Sequence, residues 1–123
     1  MGLDMFAFAV PQGTGELFEV PEGTVREELS YWRKFNALHG WMEDRAREAG
    51  FDGTFNCTPF QLSPELLDRL EEDVRSKRLV PREGFFFGSQ TVDQDELDSA
   101  LEFVESARQA HTEGKDVYYD SWW

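Results

Sequence analysis

The sequence predicts an α+β fold, a single-domain two-layer sandwich of about four strands and three helices in the rough order β-α-β-α-β-α-β. Three observations lead there. Apolar runs of strand length open and close the chain, segments with helical spacing and recognisable caps lie between them, and 123 residues without a linker or internal repeat suit one core over residues 1–123.

Leu3 to Val10 is apolar except for Asp4 and reads as a buried strand; PQGTGELFEVPEG then reads as a loop. Thr24 and Glu27 form a T-x-x-E capping box, which predicts a helix running to about Ala49 before Gly50. On that helix Tyr31, Trp32, Phe35, Leu38, His39, Met42, Ala46 and Ala49 fall within about 120° of one another, a core-facing stripe. Gly40 weakens a helix interior and Asn36 is a candidate cap, so a break near 36 to 40 is the alternative.

FNCTPFQL, residues 55 to 62, reads as a strand that Pro59 assigns to a sheet edge. Ser63 then caps and Pro64 opens a helix whose inner face is Leu66, Leu67, Leu70 and Val74. GFFFG, residues 84 to 88, reads as a short strand. Asp93 with Glu96 caps the last helix, with Leu97, Ala100, Leu101, Val104 and Ala107 inward; Gly114 ends it and KDVYYDSWW is the closing strand.

Twenty-five acids oppose twelve Lys and Arg, a net charge of −13, while 40% of residues are apolar. That apolar fraction separates the chain from disordered acidic polymers. The charge argues against direct binding to nucleic acid or acidic membranes, whose attraction needs cations on the protein, and favours a partner with a basic surface. Cys57 is the single cysteine, so no intrachain disulfide forms and a reducing cytoplasm is expected. MGLDMFAFAV has neither the basic start of a signal peptide nor the length of a membrane span.

Against this background YWRKFNALHGWM, residues 31 to 42, is a cationic and aromatic island. On a continuous helix Lys34, Trp41 and Arg45 share one flank, where cations beside an indole suit an anion that also offers a flat ring. A pocket for a nucleotide or other small anionic ligand would draw on Trp32, Arg33, Lys34, His39, Trp41, Arg45, Tyr118, Tyr119 and Trp122. His39 on the apolar stripe also suits a satisfied core histidine, and His111 in the last turn of its helix suits the helix dipole. Cys57 inside an apolar strand reads as an inert core thiol, and grouping it with His39 and Asp120 as nucleophile, base and orienter rests on residue types alone. His39, His111 and Cys57 are not in a zinc-like spacing, so no metal or other cofactor is expected. No phosphate-binding loop, dinucleotide fingerprint, nucleophile elbow or H-E-x-x-H motif is present, and the reading leans away from an enzyme.

The clearest polar pattern is on the last helix. Asp95, Asp98, Glu102 and Glu105 lie within about 80° of one another with no cation among them, a column that a cationic partner would relieve of its repulsion.

MGLDM at the start, YWRKFNALHGWM in the middle, FNC, GFFFG and the closing VYYDSWW together resemble a family of small, mostly uncharacterised proteins of phages, prophages and bacteria. The resemblance spans nearly the whole chain. It implies single-domain relatives of similar length, often encoded on mobile elements. Some carry an automatic label of phosphoglycerate kinase, which this chain does not support, since it lacks that enzyme's length and nucleotide-binding motifs. Resemblance and charge together predict a non-enzymatic accessory protein in the host cytosol. It would bind a host protein with a basic surface, such as a defence or nucleic-acid-handling component, through Asp95, Asp98, Glu102 and Glu105. Neither oligomeric state nor strand order is legible in the sequence.

Overall fold

A computed structural model describes residues 2–82 and 91–123. The elements run β1 (Asp4–Pro11), β2 (Glu27–Arg33), α1 (Asn36–Glu48), β3 (Phe60–Leu62), α2 (Pro64–Arg75), α3 (Gln94–Thr112) and β4 (Lys115–Trp122). The four strands form one antiparallel sheet in the order β2-β1-β4-β3, so the fold is α+β with four strands and three helices among the described residues. Their order differs from the expected alternation. The second strand falls between β1 and α1, and the GFFFG expectation lies outside the described residues.

Strand alternation sorts the sheet into two faces. Met5, Ala7 and Ala9 of β1, Trp32 of β2, and Val117 and Tyr119 of β4 pack with the buried residues of all three helices into one core. The opposite parity, Phe8, Val10 and Tyr118, forms a separate small cluster with Val20, and no helix contributes to it. Among the described residues the sheet thus has one helix-covered face and one helix-free face.

The expected long helix over 24–49 is replaced by a strand and a shorter helix. The Thr24 hydroxyl donates to the Pro21 carbonyl and closes a turn, so it caps nothing, and Glu27 begins β2. Tyr31 faces Phe6 and Trp32 faces Met5 across the β1–β2 pair, which sends the two aromatics to opposite faces. A register shift opposite Ala7 and Phe8 leaves Leu29 as the extra residue and brings Glu28 opposite Phe8 on the helix-free face. The chain then turns at Lys34, whose φ of 59° is incompatible with helix and whose N–H donates to the Leu3 carbonyl. Continuous helix across residue 34 is therefore excluded.

Inside α1, Gly40 has a specific reason to lack a side chain. Arg82 lies across it: an added Cβ would come within 2.5 Å of the Arg82 Cγ. From there the Arg82 guanidinium donates to the Gly40 carbonyl and to Asp44, while its backbone N–H donates to Asn36 Oδ1. Asn36 is thus the first residue of the helix and an anchor for the 76–82 segment, rather than the cap.

The signals around α2 and α3 hold. Ser63 Oγ accepts from Leu66 N–H with Pro64 in the first turn, Asp93 and Glu96 form a reciprocal capping box, and β3 is an edge strand beginning just after Pro59. Residues 55–59 are not strand, yet they run beside the end of β4: Cys57 N–H donates to the Ser121 carbonyl, and the Asn56 side chain exchanges hydrogen bonds with Trp123.

Candidate functional site

Asp95, Asp98, Glu102 and Glu105 all emerge on the exposed side of α3, because Leu97, Ala100, Phe103, Val104 and Ala107 take the buried side. From first to last they extend about 15 Å along the helix. Among the described residues none of the four joins an ion pair, and Asp98 accepts a 2.9 Å hydrogen bond from Gln94. On α2 three acids are paired at close range: Arg108 of α3 reaches Asp68 at 2.7 Å and Glu71 at 2.9 Å, Arg75 also holds Glu71, and Arg78 takes Asp73 at 3.6 Å. Donation from Arg108 and then Arg75 holds the Glu71 carboxyl below its usual range. One flank of α3 is thus neutralised against α2, and the other presents bare carboxylates to solvent.

The nine residues of the expected anion pocket do not converge. Trp32 is buried, donating Nε1–H to Ser99 Oγ at 3.1 Å with its ring edge-on to Phe103. His39 and Tyr119 lie in the core, where a 2.7 Å hydrogen bond joins His39 Nδ1 to the Tyr119 hydroxyl. Burial first, and the Arg82 charge second, lower the His39 pKa to about 4, so the imidazole is neutral at pH 7. Burial likewise pushes the Tyr119 hydroxyl well above its ordinary range. Tyr118, one residue along β4, points to the helix-free face, where it stacks on Phe8 and donates to the Glu16 carbonyl. Trp122 is on that face too and is 64% exposed. Arg33 and Lys34 are exposed at the end of β2 and beyond it. Two geometric facts overturn a single pocket: alternation along β4 splits Tyr118 and Trp122 from Tyr119, and the left-handed turn at Lys34 leaves it outside α1 and off the flank of Trp41 and Arg45.

What remains together is Trp41 with Arg45. Trp41 donates Nε1–H to Asp73 Oδ2 at 2.8 Å, and the Arg45 guanidinium lies 5.3 Å from the indole. They line a cleft of about 180 Å³ with Arg78 and Arg82. Arg45 pairs with Glu48 at 3.0 Å, and its buried Nε has no hydrogen-bond partner among the described residues.

A larger groove, of about 430 Å³, occupies the helix-free face. Phe6 and Phe8 form its floor, Arg26 and Glu28 one wall, and Asp120, Trp122 and Cys57 the other. Cys57 is exposed on its lip at φ 54°, which corrects the expectation of a core thiol in a strand. His39 lies on the helix-covered side of the sheet, so a Cys57–His39–Asp120 constellation does not form. Phe6 and Phe8 share a parity in β1, as do Asp120 and Trp122 in β4; that alternation was the available signal for this face. Their juxtaposition required the β1–β4 register, in which Phe6 opposes Asp120.

No protein-family model, curated protein or solved structure matches the chain. Among the described residues no helix is long and apolar enough to cross a membrane, and no cluster of His, Cys, Asp or Glu could hold a metal ion.

Proposed function

We propose that this chain is a non-enzymatic accessory interaction protein of phage type that binds a basic protein of the host cell through the outward face of α3. The single observation that supports this most is the contrast along α3, where Arg108 is matched with Asp68 and Glu71 while Asp95, Asp98, Glu102 and Glu105 stand exposed outside every ion pair among the described residues. A carboxylate row on a rigid helix of 19 residues offers a partner's Lys and Arg side chains a fixed, complementary pattern at a net charge that draws cations from a distance. The host target would be a defence or nucleic-acid-handling component, whose own basic surface holds phosphates that such a row imitates.

The test is a salt-dependent pull-down from host lysate with the wild type and a variant carrying Asp95→Asn, Asp98→Asn, Glu102→Gln and Glu105→Gln. A protein retained by the wild type and released by the variant, with binding that weakens steeply in salt, is the expected result. Equal retention by both would remove α3 from the interface.

A second reading is a small anionic ligand, such as a nucleotide phosphate, in the Trp41 cleft. The specific support is that Arg45, Arg78 and Arg82 line one cleft with Trp41, against only Asp44 and Asp73 among the described residues, in a chain of −13. Isothermal titration with a nucleoside triphosphate and an Arg78→Ala control tests it, and no heat at millimolar ligand rejects it.

A further inference from the structure

The groove on the helix-free face already contains a guanidinium. Arg26 lies over the Phe8 ring at 4.3 Å, the geometry of a cation–π contact, and reaches toward Asp120. Yet it is loosely held: its nearest approach to Asp120 Oδ2 is 3.9 Å, and 43% of its side chain is exposed. Asp120 is the more committed partner. Its side chain is 18% exposed, one of its oxygens accepts from its own neighbour Ser121 N–H at 2.7 Å, and the other faces the groove with no closer cation than Arg26 among the described residues. Beside it Trp122 is 64% exposed, and across Phe6 on β2 Tyr31 is 50% exposed, its hydroxyl donating to Asp4 Oδ1 at 2.6 Å. Large aromatics left this open on a sheet face, next to a mostly buried carboxylate, are ordinary constituents of a docking surface.

The groove's formal charges are Arg26 against Glu28 and Asp120, so removing Arg26 leaves a carboxylate pair over an aromatic floor. That combination selects a flat cation. Guanidinium stacks on aromatic faces and bonds carboxylate through two parallel N–H groups, whereas ammonium is a strongly hydrated point charge that does neither. We infer that this groove receives an arginine side chain from a basic protein partner, displacing Arg26, which occupies the same kind of site in the free protein. The inference rests on the reading of a basic partner but uses a surface separate from α3, so the two fail independently.

The test is a ¹H–¹⁵N NMR titration with the blocked peptide acetyl-Gly-Arg-Gly-amide, with matched lysine and citrulline peptides alongside. The arginine peptide is expected to move the Trp122 indole N–H and the backbone signals of Cys57 and Ser121, the lysine peptide to move them less, and the neutral citrulline peptide not at all. Trp122→Ala is expected to weaken binding about two- to fivefold, the range of an exposed cation–π contact. Asp120→Asn, which keeps the shape and the Ser121 hydrogen bond, is expected to weaken it about tenfold or more. Arg26→Gln is expected to tighten binding about two- to fivefold by removing the internal competitor. In the fourfold α3 variant the groove signals should respond as in the wild type. The inference is overturned if the groove signals stay still at millimolar peptide, if lysine matches arginine, if Arg26→Gln weakens binding, or if the response disappears in the α3 variant. It is also overturned if sedimentation shows a dimer that Trp122→Ala dissociates, which would place a second copy of the chain on this face.

Discussion

The two faces of the sheet are built from the same strands, alternate residue by alternate residue, and end in opposite states. On the helix-covered face Trp32, His39, Phe55 and Tyr119 are fixed by ring packing and by hydrogen bonds to one another or to Ser99. On the helix-free face Phe6, Tyr31 and Trp122 meet solvent, and one cluster of Phe8, Val10 and Tyr118 is closed by Val20 and Arg26. The difference lies in coverage rather than composition: both faces are aromatic, but among the described residues three helices lie over one and a loop and an arginine over part of the other. Aromatics withdrawn into the core hold the fold, and those left on the open face stay in contact with solvent.

The sharpest way to break that comparison is to truncate one aromatic from each side. Phe103→Ala removes a fully buried ring that Trp32 meets edge-on, and should cost about 3 to 5 kcal/mol in urea unfolding. Trp122→Ala, although it removes a larger side chain, should stay within about 0.5 kcal/mol. A comparable loss from both would mean that the helix-free face is structural.

The next effect is electrostatic. An unfolded His39 takes up a proton near pH 6.5, the folded one only near 4. The stability from keeping it neutral is therefore fully present above about pH 6.5 and lost as pH falls toward 4, by up to about 3 kcal/mol. Urea midpoints should fall from about pH 7 to about pH 5 in the wild type and stay flatter in His39→Gln. Asp120, whose carboxyl is raised by burial, carries a linkage of the opposite sign and loses stability as pH rises. Equal slopes in the two proteins would place the titrating group elsewhere.

The same division explains how much was legible in the sequence. α2 and α3 were readable because Ser63-Pro64 and Asp93 with Glu96 are local signals, complete within four residues, and the apolar spacing that follows agrees with them. β1 and β4 were readable as apolar runs. At 27–33 two periods compete: Tyr31 and Trp32 fit a helical stripe that continues at Phe35 and Leu38, and the T-x-x-E pattern reinforced it, while the strand is selected by pairing with β1 and by the left-handed turn at Lys34. Neither is visible locally. The carboxylate column of α3 needed only one helix and its exposure was foreseen, whereas the groove joins Phe6 to Asp120 across 114 positions of sequence, through a register that no local pattern encodes.

The smallest effect separates the two flanks of α3, and there the sign matters more than the size. Asp98 and Glu102 stand four residues apart with Glu105 beyond, like charges that oppose the helix by a few tenths of a kcal/mol per pair. Asp98→Asn with Glu102→Gln and Glu105→Gln should therefore stabilise the free protein by about 0.5 kcal/mol in low salt, and by less as salt screens the repulsion. Asp95 is left in place because a carboxylate in the first turn favours the helix dipole. Glu71→Gln on α2 should act in the other direction, costing up to about 1 kcal/mol, since that carboxylate bridges Arg108 and Arg75. Opposite shifts in urea midpoint, both shrinking with salt, would establish that α3 carries a compensated flank and an uncompensated one. If neutralising the outer column instead destabilises the helix, its carboxylates are already satisfied within the chain, and a basic partner has no repulsion to relieve.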